Sequence, residues 1–112
     1  MTVNPLITAG IKTYHENGQD FQDVVSWHLL HGVVHITPEF VCFGHYCRHD
    51  NLGLPLPLAD SDTAFVTYFA GDMRGLRTIA GHGLEFIAFE RGFQNERGRK
   101  VYSMAKFKHL IH

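Results

Sequence analysis

The stretch AFVTYFAGDMRGLRTIAGHG, residues 64–83, contains a strand-like pattern that ends at a glycine and continues into a segment rich in glycine and arginine. β-Branched and aromatic residues dominate its first part, which predicts a strand over residues 63–70. Between Gly71 and Gly83 there is room for about two helical turns, with Asp72 as the capping residue. The stretch therefore predicts a strand, a short helix and a return to the sheet. It also poses the question whether this turn binds a phosphate or only reverses the chain.

Two helices are predicted before this stretch. The first begins at Asn4-Pro5, a cap followed by proline at the first helical position, and ends at Asn17-Gly18. The second begins after Asp20 and ends at Gly32. Its apolar stripe follows helical spacing and comprises Phe21, Val24, Val25, His28 and Leu29. Trp27 lies beside this stripe, and we interpret it as core packing.

The remaining elements are predicted to be strands. VVHI and FVCFGHYC flank a Thr-Pro-Glu turn and form a predicted hairpin. Residues 48–62 form a long connection. EFIAFERG and RKVYSMAKFKHL are two further predicted strands, joined by a turn over residues 92–98. In the last strand, alternation predicts that the side chains facing the core are Val101, Ser103, Ala105 and Phe107.

This order predicts an α+β fold, with two N-terminal helices packed on one mainly antiparallel sheet of about five strands. A length of 112 residues fits a single domain, residues 1–112. No apolar run reaches the roughly 18 residues that cross a bilayer, so no membrane association is expected. The N-terminal residues lack the pattern of a secretory signal, which predicts a cytoplasmic location. Cys42 and Cys47 are predicted to point to opposite faces of one strand as reduced thiols.

The charges are distributed unevenly along the chain. Residues 1–73 contain two basic and eight acidic side chains, whereas residues 74–112 contain eight basic and three acidic ones. This asymmetry indicates an anionic partner for the C-terminal part, or attraction between two copies of the chain. The alternative is that the fold mixes both sets of charges on one surface.

The predicted order resembles the centre of the GNAT N-acetyltransferase fold, without its first strand and its late helix. In that family a bulged strand leads into a loop of the form [Q/R]-x-x-G-x-[G/A], whose N–H groups hold the acetyl-CoA pyrophosphate. GDMRGL, residues 71–76, occupies the place of this loop but lacks its second glycine and contains an aspartate. TIAGHG, residues 78–83, has both glycines but follows the short helix. The resemblance implies a cofactor site at Gly71, Arg74, Gly75 and Arg77.

A second resemblance spans roughly residues 26–110. The segments WHLLHGVVHITPEF, AFVTYFAGDM and IAFERG…RKVYSMAKFKHL are similar to small phage and prophage proteins that have a truncated acetyltransferase-like fold and no assigned activity. This resemblance implies an inherited fold without its chemistry. The leading expectation is a non-catalytic phage or prophage interaction protein that has no cofactor and acts as a homo-oligomer or through a partner surface. The first alternative is a minimal acyltransferase that binds acetyl-CoA.

GHYCRHD places His45, Cys47 and His49 two residues apart, so all three face one side of an extended strand. Imidazole and thiolate are ligands that zinc prefers, which makes the three a candidate metal site. The alternative is a half-buried thiol between two surface histidines. Neither cysteine is predicted to be a nucleophile, since neither has a base that the sequence places within reach.

The C-terminal segment is basic and contains an aromatic residue between its lysines. Its candidate anion-binding residues are Arg99, Lys100, Lys106 and Lys108. Such a face can follow a single-stranded nucleic acid while Tyr102 stacks on a base. The alternative is a solvated sheet surface. Binding of anionic partners through this strand is therefore the second alternative function.

Overall fold

The computed structural model describes residues 4–80, 82–90 and 100–107. The elements, in chain order, are α1 Pro5–Glu16, α2 Phe21–His31, β1 Val33–Ile36, β2 Phe40–Cys47, a first 3-10 helix Leu58–Asp60, β3 Thr63–Gly71, a second 3-10 helix Met73–Thr78, β4 Phe86–Phe89, β5 Lys100–Ser103 and α3 Met104–Phe107. None of the helices within these ranges is long and apolar enough to span a membrane.

The five strands form one sheet in the order β1-β2-β3-β4-β5. All neighbouring pairs are antiparallel except β3 and β4, which are parallel. A parallel pair needs a crossover connection, and the second 3-10 helix lies in it. The predicted α+β class, with two N-terminal helices and a mainly antiparallel five-stranded sheet, is confirmed.

The predicted caps of both N-terminal helices are confirmed. The Asn4 side chain accepts a hydrogen bond from the Leu6 N–H at 2.9 Å, and its amide donates to the Thr37 carbonyl at 3.0 Å. The Asp20 carboxylate accepts from the Gln22 N–H at 3.0 Å. These bonds satisfy helix-end donors and, through Thr37, connect α1 to the hairpin.

The sheet has a core on each face. On the face that packs against α1 and α2, the buried residues are Tyr14 of α1 and Val41, Phe43 and Tyr68 of the sheet. On the opposite face, the second 3-10 helix and α3 contribute to a larger cluster that includes Cys42, Val66, Leu76, Ile79, Ile87, Met104 and Phe107. The sheet is therefore covered on both faces.

β3 contains a bulge opposite the middle of β2. Phe43 pairs with Tyr68 and the next residue, Gly44, pairs with Val66, so Thr67 is the extra residue. A bulge changes the direction in which neighbouring side chains point. Thr67 reaches His28 of α2 and the adjacent Tyr68 packs on Tyr14 of α1, so two consecutive side chains face the helices.

The prediction of a long last strand is wrong. β5 ends at Ser103, and the chain continues as the helix α3. Val101 is 45% exposed, and Ser103 and Ala105 are also exposed, so their predicted core positions are wrong. Phe107 is buried as predicted. The predicted turn over residues 92–98 lies outside the described residues.

Candidate functional site

The turn proposed to bind a cofactor is organised around the Asp72 carboxylate. Asp72 caps the second 3-10 helix and accepts the Arg74 N–H at 2.9 Å, while Arg74 Nη2 lies 2.6 Å from Asp72 Oδ2. The hydrogen bonds from Arg74 lower the pKa of Asp72 to about 2, so the carboxylate is charged at neutral pH. A pyrophosphate at this turn would therefore meet the negative charge of Asp72, and the Arg74 guanidinium that could bind it is already bonded to Asp72.

The glycines of this turn have a packing role. Gly71 adopts φ +101°, a conformation that favours glycine. A Cβ atom on Gly75 would clash with the Phe40 ring. Arg77 is exposed at the end of the same helix. The described geometry therefore accounts for Gly71 and Gly75 by chain reversal and close packing, without an anion.

The three candidate metal ligands on β2 and after it are not brought together. His45 Nε2 lies 2.7 Å from the Leu52 carbonyl, and His49 Nδ1 lies 2.9 Å from Asp62 Oδ2. Cys47 is fully buried beside Phe65. Within residues 4–80, 82–90 and 100–107, no three His, Cys, Asp or Glu side chains form a group that could hold a metal ion.

Both thiols are buried, free and protonated at neutral pH. Burial raises the pKa of Cys42 to about 12. Burial, with a further contribution from the Asp62 charge, raises the pKa of Cys47 to about 11. Since the thiolate is the reactive and metal-binding form, this environment does not favour either role.

The candidate anion-binding residues are divided between two elements. Lys100 lies on β5 and Lys106 on α3, and both are exposed. They therefore do not share the single strand face that the sequence predicted. Arg99 and Lys108 lie outside the described residues.

Asp62 is the centre of a polar cluster at the end of the long loop. Its carboxylate accepts from the Thr63 hydroxyl at 2.7 Å and from the His49 N–H at 2.9 Å, and Arg48 Nη2 lies 3.3 Å away. Burial alone would raise the pKa of Asp62, but these hydrogen bonds and the Arg48 charge outweigh it and lower the pKa to about 2. Through the charged Asp62 carboxylate, these contacts attach the long loop to the start of β3.

A cavity of about 360 Å³ opens between α2 and the bulge of β3. His28 and Thr67 lie in its wall, and His28 Nε2 is 2.8 Å from Thr67 Oγ1. The other lining residues are Tyr14, Gln19, Val24, Trp27 and Glu90. Sequence reasoning missed this pair because Thr67 faces α2 as a result of the bulge, and a bulge leaves no motif in the sequence.

A larger groove of about 750 Å³ is lined by residues of α1, α2, the turn that joins them, and β1. Its apolar lining comprises Ile7, Ile11, Phe21, Val25 and Ile36, and the other lining residues are His15, Gly18, Gln19, Asp20 and Gln22. Ile11 is 50% exposed and Ile36 46% exposed. The groove therefore presents apolar surface to solvent.

Two predictions about α2 are corrected by its exposure. Leu29, predicted to belong to the core stripe, is 68% exposed, and the neighbouring Leu30 is 81% exposed. Trp27, interpreted as core packing, is 39% exposed and lies against the His28 and His31 rings. Only His28 of this helix is fully buried. The end of α2 therefore adds apolar surface beyond the groove.

No protein-family model matches the chain, and neither a curated protein nor a solved structure matches it.

Proposed function

We propose that the protein is an interaction protein of phage or prophage origin that acts as a homo-oligomer through its apolar groove. One observation carries the proposal: Ile11 and Ile36 are about half exposed in the lining of one groove. Contiguous apolar surface on a folded domain is characteristic of binding sites. Docking at this groove requires no chemical step.

The surface extends along α2. Val25 lines the groove, and Leu29 lies one helical turn further on, where residues four apart share a face. Leu29 and Leu30 are strongly exposed. Together with Ile11 and Ile36 of the groove they form a set of exposed apolar side chains, and apolar side chains are enriched at interface centres.

The occupant we propose is a second copy of this chain, because the charges are complementary. Asp20 lines the groove, and Glu16 and Asp23, which flank it in the sequence, are exposed. The C-terminal part of the chain is basic, and its Lys100 and Lys106 are exposed. Acidic groups beside the groove of one copy can therefore attract basic groups of the other, which favours association at low salt.

Light scattering on purified protein over a concentration series tests this proposal. We expect a dimer or larger oligomer, and Ile11→Glu is expected to raise its dissociation constant about tenfold or more, because a charge would be buried without a partner. Leu54→Glu is the matched control, since Leu54 is 49% exposed but does not line the groove. A wild-type monomer at every concentration and salt level, or equal effects of both variants, would contradict the proposal.

A second candidate function, acetyl-CoA binding, is favoured by one observation. The strand before the short helix contains a bulge at Thr67, a feature that the acetyltransferase resemblance implies. Titration calorimetry at neutral pH and low salt tests it. Saturable heat at micromolar acetyl-CoA that Arg74→Ala abolishes would support cofactor binding at the turn. No heat would leave docking as the sole candidate of the two.

A further inference from the structure

A chain of hydrogen bonds orients the His28 ring towards Thr67. His28 Nδ1 lies 2.7 Å from the Val24 carbonyl oxygen and Nε2 lies 2.8 Å from Thr67 Oγ1. A carbonyl oxygen can only accept, so Nδ1 carries the proton. In the neutral ring Nε2 then has a free lone pair, and the Thr67 hydroxyl donates to it. This is the arrangement of a hydroxyl beside its base, with the base oriented by a third group.

His28 is in the form that this arrangement requires. The residue is 4% exposed, and burial, with a further contribution from nearby His45, lowers the pKa of His28 despite its bond to the Val24 carbonyl. The ring is therefore neutral at pH 7 and able to accept a proton. The other titratable side chains that line the same cavity are Tyr14 and Glu90.

Thr67 is accessible from the cavity. It is half-buried, and the bulge points it at α2 rather than into the core. A volume of about 360 Å³ is at the lower end for small-ligand sites, which limits a ligand to a small group. Val24 and Trp27 give the wall an apolar part against which an acyl chain can pack.

We propose that Thr67 is a nucleophile that accepts a small acyl group from an ester, with His28 as its general base. Thr67 Oγ1 forms a bond to the ester carbonyl carbon while its proton passes to His28 Nε2. The carbon–oxygen bond to the leaving alcohol then breaks, and that oxygen takes the proton from His28. The products are acylated Thr67 and a free alcohol. Water, deprotonated by the same ring, can then release the acyl group as a carboxylic acid. This activity goes beyond the docking role of the groove.

The test uses p-nitrophenyl acetate with the full chain, and measures both p-nitrophenol release and the mass of tryptic peptides. We expect one acetyl group at residue 67 in the wild type and in Thr67→Ser, and none at this position in Thr67→Val. His28→Gln is expected to slow p-nitrophenol release about a hundredfold. His82→Asn controls for hydrolysis by exposed histidines, since His82 is exposed and lines neither this cavity nor the groove.

Thermal unfolding confirms that each variant is folded, and Thr67→Ser retains the hydroxyl if Thr67→Val proves unstable. Release unchanged in Thr67→Val or in His28→Gln, with acetyl groups only on residues other than 67, would overturn the proposal. Faster release by wild type than by both His28→Gln and Thr67→Val, without a stable acetyl group, would support it, because rapid deacylation leaves the hydroxyl free.

Discussion

Gly44→Ala is expected to destabilise the protein by about 3 kcal/mol and to lower its Tm by roughly 15 °C. Gly44 is buried at the centre of β2. A Cβ atom there would clash with the Phe65 carbonyl of the neighbouring strand and lie 2.6 Å from Ile79 Cδ1. A backbone atom cannot move aside as a flexible side chain can, so β2 and β3 would have to separate next to the bulge.

Gly53→Ala is the matched control for this prediction. Gly53 lies in the long loop, and an added Cβ would meet nothing within 4 Å. We therefore expect a change within about 0.5 kcal/mol. Chemical denaturation of both variants measures the difference. A Gly44→Ala protein as stable as Gly53→Ala would mean that β2 and β3 lie further apart at Gly44 than the Phe65 carbonyl contact indicates.

The elements that local rules govern could be predicted from the sequence. Asn4 and Asp20 cap their helices as expected, because a capping side chain and its target N–H lie two residues apart. The prediction of a long last strand was wrong because local sequence did not decide its structure. Its alternating pattern also permits a helical turn, and the burial of Met104 and Phe107, three residues apart, favours α3. Such tertiary packing decides between periods that a short segment cannot distinguish.

The candidate sites were less predictable, because they depend on distances between separate elements. His45 and His49 form a plausible ligand pair in the sequence, yet each is held by a different part of the long loop. The His28–Thr67 contact joins residues 39 positions apart. Leu29 fits the apolar stripe of α2 but is 68% exposed, so its exposure follows from packing geometry rather than from pattern.

Asp62→Asn is expected to destabilise the protein by about 2 kcal/mol at neutral pH. The carboxylate is held by the Thr63 hydroxyl, by the N–H and ring of His49, and by Arg48. Asparagine has the same shape as aspartate but no charge. Its side-chain NH2 group is a hydrogen-bond donor and would face the Thr63 and His49 donors that the carboxylate accepts from. Asp60→Asn is the control, since Asp60 is an exposed carboxylate two residues away.

The same substitution predicts a definite dependence on pH. The pKa of Asp62 is lowered from 3.8 to about 2 in the folded protein, so its contribution to stability is fully present above the unfolded value and is lost as pH falls through the folded one. The free energies of unfolding of wild type and Asp62→Asn should therefore differ at pH 7 and converge between about pH 4 and pH 2. Urea denaturation across this range measures the difference. A constant difference down to pH 2 would show that Asp62 stabilises the loop by shape rather than by its charge.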